Sequence, residues 1–387
     1  MSKLEELINK LCPNGVEFKT LGDIATYRRG SFPQPYTNTS FYGGEDAMPF
    51  VQVADIKDDG FKLKDKTKQT ISKIAQPKSI FVPKGTVICS IQGTIGRVAI
   101  TQYDSYVDRT IAIFESLNNK IDKKFFAYCI EVKFEVEKQF ARGSTLKTIT
   151  KEEFTKFSIP VPPLEVQCEI VRILDNFTLL SAELSAELSA RQKQYNFYRD
   201  ELLNKIDKFE IKNLEDCCNI LDNKRKPVTK SSRISGNIPY YGANGIQDYV
   251  SEYIFDGRFV LVGEDGSVVN QNGNPIVNWA EGKIWVNNHA HIIEETIVDL
   301  RYLYYYIQTI NVRELIHGNI PKLNQRDFRK LKIKVPSKEK QKEITDILDR
   351  FDKLCNDISE GLPAEIEARK KQYEYYRDKL LTFKELK

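Results

Sequence analysis

The residues that could do chemistry in this chain are cations and amides on short, turn-rich segments. Y-R-R-G-S-F-P-Q-P-Y (27–36) offers Arg28, Arg29 and Gln34 among aromatics, Gln92 and Arg97 flank a G-T-I-G turn, and Arg142 with Lys147 occupies another loop. N-K-R-K-P-V-T-K-S-S-R (223–233) packs five cations into one loop, Lys224, Arg225 and Lys226 among them. Asn244, Asn287, Asn288, His289, Lys322 and Asn324 add amide, imidazole and ammonium groups. Guanidinium and ammonium groups hold phosphates, whereas planar forks and amides match the hydrogen-bonding edges of bases. Taken singly, each Lys or Arg reads equally well as a solvated surface charge; the loops as groups carry the reading.

Bond-making chemistry finds little support. G-E-D-G (263–266) lacks the further glycine of a nucleotide fingerprint, and no G-x-x-x-x-G-K-[ST] phosphate loop occurs. N-P-I-V (274–277) lacks the second proline and the aromatic of an amino-methyltransferase base clamp. Asp265 with Glu281 and Lys283 imitates a metal-nuclease pattern, but such triples arise readily by chance when 29% of residues are charged. The seven cysteines form no C-x-x-C pair, and the three histidines are too few and too scattered to complete a zinc site. Neither a catalytic residue nor a metal site is therefore expected. Free thiols fit a reducing cytosol. No apolar run approaches ~20 residues and no signal-peptide pattern opens the chain, so a cytoplasmic protein is expected, neither membrane-bound nor secreted. The net charge of +4 is mild, so the basic groups have to be located one by one.

The elements that must position these groups are announced by a repeat. Q-C-E-I-V-R-I-L-D-N-F (167–177) returns as Q-K-E-I-T-D-I-L-D-R-F (341–351) with seven of eleven positions identical, and R-Q-K-Q-Y-N-F-Y-R-D-E-L-L (191–203) returns as R-K-K-Q-Y-E-Y-Y-R-D-K-L-L (369–381) with nine of thirteen. Such long-range self-similarity outranks local propensity as a guide to architecture. Within the first copy, Ile170, Leu174, Phe177, Leu184, Leu188, Tyr195, Tyr198 and Leu202 recur on a heptad. The second copy keeps the stripe through Ile344, Leu348, Phe351, Cys355, Ile358, Leu362, Ile366, Tyr373, Tyr376 and Leu380. This is the spacing of helices packed along one seam. The second copy is four residues longer between its matched blocks, which a stutter absorbs or which Gly361 and Pro363 turn into a kink. An antiparallel pair is favoured, because it sets Tyr195 and Tyr198 against the smaller Ile344 and Leu348.

Two strand-rich regions separate the repeats. M-P-F-V-Q-V-A-D-I (48–56), G-T-V-I-C-S-I (85–91), G-R-V-A-I (96–100) and T-I-A-I-F (110–114) are short, β-branched runs bounded by Gly, Pro or Asp. A short helix is predicted over 2–11, another near 122–140, and Thr150 with Glu153 makes a capping box. The second region repeats this order, with R-Y-L-Y-Y-Y-I (301–307) lying over F-F-A-Y-C-I (125–130). The chain is thus an α+β protein: a β-rich head with its leading helix over 1–162, a helix over 163–207, a second head over 208–336 and a C-terminal helix over 337–387, with an internal pseudo-two-fold.

At this point the sequence resembles a known family, the specificity subunits of type I restriction–modification systems. The resemblance is carried by V-E-F-K-T-L-G-D-I (16–24), P-K-G-T-V-I-C-S-I-Q-G-T-I-G (83–96), I-P-V-P-P-L-E-V-Q (159–167), Y-Y-G-A-N-G-I (240–246), G-N-I-P-K-L-N (318–324) and the two Y-x-x-Y-R-D-x-L-L helix ends. It departs in the second leader, V-P-S-K-E-K-Q (335–341), which lacks the double proline. It implies two target-recognition domains, each reading half of a split sequence in double-stranded DNA through the loop cations and amides named above. It also implies paired helices on which two methyltransferase subunits dock, with restriction subunits as a further component. S-adenosylmethionine, ATP and Mg²⁺ are then expected in those partners, with no cofactor on this chain. A subunit serving a fused type II restriction-methyltransferase, or an assembly scaffold that does not touch DNA, are the alternatives.

The S-A-E-L-S-A-E-L stretch (181–188) reads adequately as plain helix filler; the sharper expectation is that it sets the gap between half-sites. Four residues add ~6 Å and about 40° of rotation, against a DNA step of ~3.4 Å. Insertion or deletion of one S-A-E-L is expected to change the spacer between half-sites by one or two base pairs and leave the half-sites alone. Sequencing the methylated sites of such a variant checks this; an unaltered spacer removes the ruler.

Overall fold

The computed structural model of the chain describes residues 2–58, 60–140, 151–266, 268–357 and 359–386, with the side chains of 137–140 and 151–152 left aside. Thr150, and Ile358 of the helix stripe, lie outside the described residues. Two compact units emerge, Met1–Ser185 with Ile366–Lys387, and Ala186–Glu365.

In the first unit, Ser2 and Glu5 form a reciprocal capping box that starts the helix Lys3–Leu11. The head carries two four-stranded sheets. One is antiparallel, in the order Ala25–Arg29, Ile111–Leu117, Val87–Ser90, Val98–Ile100. The other runs Gln69–Ile71, Met48–Val51, Ser105–Val107, Ile80–Val82, with its central pair parallel. The helix Lys123–Phe140 buries Phe125, Phe126 and Phe134 in a core shared with Phe114, Phe154, Ile170 and Leu174. The strand Glu17–Thr20 pairs with Ser158–Val161, so the chain enters and leaves the head through one two-stranded clasp.

The second unit repeats the plan with other contents. Its six-stranded sheet is ordered Cys218–Ile220, Ala290–Glu295, Phe255–Gly263, Val277–Val286, Ser235–Gly242, Gly245–Val250. The helix Leu300–Ile307 buries Tyr302, Leu303, Tyr305 and Tyr306 against this unit's core. The clasp recurs between Glu210–Asn213 and Lys332–Val335.

The repeated sequence folds as the continuous helix Leu164–Asn204 and, in its second copy, as two helices, Lys338–Asn356 and Leu362–Leu380. The four extra residues therefore make a break. A Cβ at Gly361 would lie 2.6 Å from the carbonyl oxygens of Asp357 and Lys353, so the crossing needs a glycine. Within the first unit Phe177 stacks on Tyr376, 5.5 Å between centroids at 22°. Within the second, Tyr198 stacks on Phe351 at 5.5 Å and 26°, while Arg191, a turn or two earlier, bears electrostatically on Cys355, so these segments run antiparallel. Ile170, Leu174, Tyr195, Ile344 and Leu348 are buried, Phe177, Leu184, Leu188, Leu202, Phe351, Tyr373 and Leu380 half-buried. Tyr198 and Tyr376 stay exposed at one edge. The large-against-small seam is corrected at Tyr198: rings meet rings, because stacking covers the facing sides of both rings while each tyrosine keeps an exposed edge.

Each head is fastened to its repeat helices by the same four groups. Gln167 is fully buried; its Oε1 accepts the Asp122 N–H at 2.8 Å and its Nε2 donates to the Pro162 and Lys120 carbonyls. Gln341 does likewise with the Asp299 N–H (2.9 Å) and the Pro336 carbonyl (2.9 Å). Eight residues on, Asp175 accepts from Lys124 and Tyr128, and Asp349 accepts from Arg301 and Tyr305. Arg301 also reaches Asp352 at 2.6 Å and lies over the Trp279 ring at 4.9 Å. Gln341→Leu keeps the bulk but strands a buried N–H and a buried C=O, at about 1–3 kcal/mol each. The second unit is expected to unfold at lower denaturant while the first is unmoved, and Gln167→Leu to do the reverse; urea titration with hydrogen exchange resolved by segment checks both.

Candidate nucleic-acid interface

In the first head the predicted residues divide by what already holds them. Arg28 and Arg29 do not sit on a loop: both lie on the strand Ala25–Arg29, opposite Ile113 and Ala112. Arg28 pairs with Glu115 at 2.7 Å. Gly30 then brings the chain against its neighbour so closely that a Cβ would lie 2.3 Å from the Val107 and Asp108 carbonyl oxygens. Gln34 follows, exposed. Arg97 is fastened to Asp58 (2.5 Å) and to the Ile56 carbonyl (3.3 Å). Lys147 and Arg142 lie outside the described residues.

These segments border an open cleft of about 750 Å³ lined by Phe32, Tyr36, Gln52, Gln92, Arg97 and Arg109, among others. Its wall is an aromatic and amide network. Gln52 Nε2 donates to Tyr36 Oη at 2.5 Å and to Gln69 Oε1 at 3.1 Å. Phe32 meets Tyr36 edge-on at 5.1 Å, and Tyr36 meets Tyr42 at 5.7 Å. Burial, reinforced by the Asp108 carboxylate, pushes the Tyr36 phenol above its ordinary range, so it stays a hydroxyl donor. Gln52, Gln69 and Arg109 were not anticipated. No local motif marks them, since Gln52 and Arg109 meet only after the 50s and the 107–110 turn are placed side by side by the parallel pairing of Val51 with Val107.

In the second head, Lys224 and Lys226 are exposed as expected of a loop. The Lys226 carbonyl accepts the Trp285 indole N–H at 2.7 Å. Arg225 is a correction: it is an internal clamp. Its side chain is 11% exposed and its nitrogens donate to Glu264 (2.5 Å), the Ala290 carbonyl (2.7 Å) and the Asp222 carbonyl (2.9 Å). Arg233 is likewise held, by Asp248 at 3.1 Å and over the Tyr240 ring at 4.1 Å. Asn244 is exposed at the turn between Ser235–Gly242 and Gly245–Val250. Asn287 is buried and bonded to Gln247, whereas Asn288 is exposed. His289 is half-exposed with its Nδ1 on Asp265. Lys322 is half-exposed and pairs with Glu264 at 3.1 Å. Asn324 precedes the helix Gln325–Arg329 and makes no side-chain cap bond.

Beneath these groups Asp222, Glu264 and His291 bring ligand-type atoms within 4.8 Å of one another, a meeting that counting histidines did not foresee. His291 Nδ1 faces Asp222 at 2.6 Å and its Nε2 faces the Leu323 carbonyl at 2.9 Å. Asp222 also accepts from the Ile292 N–H and Gln325, and both Glu264 oxygens are taken by Arg225 and Lys322. Burial opposes ionisation of Asp222, but the His291 hydrogen bond and the charges of His291 and Arg225 hold its carboxyl below the ordinary range. Every donor atom of the trio has a protein partner, so the set does not fit a metal; Arg225 and Lys322 fill the cation's role. The nuclease-like triple does not share a partner either: Asp265 engages His289, Lys283 lies over Tyr253 at 4.7 Å, and Glu281 sits 3.5 Å from the Trp279 indole nitrogen.

Comparison with known proteins agrees with this duplicated layout. The family model described as the type I restriction modification DNA specificity domain matches residues 13–191 and again 206–368. A putative type I restriction enzyme specificity subunit of Haemophilus influenzae is 41% identical over 183 residues; the match spans 46% of this chain and about half, 47%, of that one. The EcoprrI specificity subunit of Escherichia coli is 30% identical over 391 residues, covering 93% of this chain and 92% of its own. The crystal structure of a type I S subunit from M. genitalium shares the fold over 99% of both chains, with a TM-score of 0.58 at 16% identity. Matched twice by one specificity-domain model and along nearly the whole of the E. coli subunit, the chain belongs to the family of type I restriction–modification DNA specificity subunits.

Proposed function

We propose that each head reads one half of a bipartite site in double-stranded DNA, while the repeat helices dock two methyltransferase subunits and, with them, restriction subunits. The observation that carries this reading is that each head presents cations and amides left over after its fold is satisfied. In the second head these are Lys224 and Lys226, which make no ion pair among the described residues, beside Asn244 and Asn288. In the first they are Gln34, Gln92 and Arg109, bordering or near the cleft. The chain itself performs no bond-making step. Methylation of a base requires its extrusion from the duplex, so the chemistry falls to partners placed by this subunit. S-adenosylmethionine, ATP and Mg²⁺ belong to those partners in this reading.

Arg225 and its lysine neighbours separate interface from scaffold. In the assembled complex, Lys224→Ala with Lys226→Ala is expected to weaken binding to all duplexes alike and to reduce the slope of log affinity against log salt by roughly 2, one per phosphate contact. Arg225→Ala instead leaves Glu264 with only the half-exposed Lys322 and Asp222 with only His291 as counter-charge, and is expected to lower stability by about 3 kcal/mol. Titration of labelled duplex at several salt concentrations, with thermal unfolding in parallel, checks both; affinity independent of salt, or a slope unmoved by the lysine pair, overturns the reading.

A further inference from the structure

We propose that Arg109 is a specificity-determining residue of the first head, reading a guanine through the O6/N7 edge in the half-site that this head engages; the inference rests on the DNA-reading function proposed above. Arg28 is paired with Glu115 and Arg97 with Asp58 and a carbonyl oxygen. Arg109 is exposed on the cleft and makes no hydrogen bond or ion pair among the described residues. Its guanidinium lies over the Phe32 ring, 4.8 Å from the centroid. That ring is itself braced edge-on by Tyr36. A guanidinium held over a ring face spends no N–H donor on that contact, and free N–H donors are what a bidentate contact to guanine requires.

The backbone beneath Arg109 is equally constrained. Asp108, the adjacent carboxylate, also lines the cleft but makes no ion pair with Arg109 among the described residues: its Oδ1 accepts from the Thr110 N–H at 2.9 Å and the Thr110 hydroxyl at 2.7 Å. The Asp108 N–H donates to Val51 and the Ile111 N–H returns to Asp108, closing a tight turn with Arg109 at its tip. Across the ladder, Ser90 pairs with Ile111 and the Ile91 N–H donates to the Thr110 carbonyl, and the next residues on each side, Gln92 and Arg109, both line the cleft. Gln92 makes no hydrogen bond among the described residues, in contrast to Gln52, whose amide is held by Tyr36 and Gln69. The cleft therefore presents one unengaged guanidinium on a rigid turn, and its anchoring ring depends on Gly30, the residue that lets the Phe32 segment approach.

The test uses the intact complex in a host without other methylation, with modified DNA sequenced genome-wide for the parent, Arg109→Ala and Arg109→Lys. The parent is expected to give a bipartite motif with an obligatory guanine in one half. Both variants are expected to lose discrimination at that single position by about tenfold or more, with the other half-site and the spacer unchanged. Lysine keeps the charge but not the fork, so it distinguishes base reading from phosphate contact. Full discrimination in Arg109→Lys with a uniform weakening in Arg109→Ala, unaltered motifs in both, or a parent motif without guanine would falsify the proposal. A parent chain that directs no motif at all defeats instead the function on which it rests.

Discussion

Everything in this molecule hangs on how a glutamine and an aspartate eight residues apart on a repeat helix hold the head beside them. Gln167 and Gln341 saturate the backbone at the point where the leader turns into helix and where the head helix begins. Asp175 and Asp349 then take a cation and a tyrosine set four residues apart on that head helix, Lys124 with Tyr128 and Arg301 with Tyr305. A helix fixed at two levels along its axis cannot slide or roll, so the sheet packed on it inherits a definite orientation. Buried amides tolerate no partial solution, because each unsatisfied group costs as much as several surface ion pairs yield.

Given that anchorage, the contents of each head are free to differ. The clasps Glu17–Thr20 with Ser158–Val161 and Glu210–Asn213 with Lys332–Val335 bring the chain in and out at one place, and among the described residues what lies between is two four-stranded sheets in one case and a six-stranded with a two-stranded sheet in the other. The two heads also organise their polar groups differently. The first builds its cleft wall from aromatics and amides, whereas the second supports its surface on a buried charge cluster of Asp222, Glu264, His291, Arg225 and Lys322. In both, the decisive distinction is between side chains whose donors are satisfied by the protein and those whose donors are not.

That distinction marks the boundary of what could be read in the residues alone. The duplicated blocks, the strand-rich heads and the helical stretch at 122–140 were visible because periodicity and repetition are local signals. The direction of helix pairing was also visible, although the stacking of Phe177 on Tyr376 and of Tyr198 on Phe351 was not, since it depends on axial offset. Arg225 looked like its lysine neighbours until Glu264 and Ala290, distant in sequence, were seen to hold it. Arg109 stands in no motif, and only the turn that bonds Asp108 to Thr110 and the Phe32 ring beside the guanidinium single it out.

The chain has two tryptophans, Trp279 and Trp285, and both belong to the second head. One lies beneath the Arg301 guanidinium, and the other hydrogen-bonds to the backbone of the Lys224–Lys226 loop. Intrinsic indole fluorescence is thus a native optical reporter of one half of this subunit, answering to the seating of its head helix and to events at its basic loop while remaining dark to the other half.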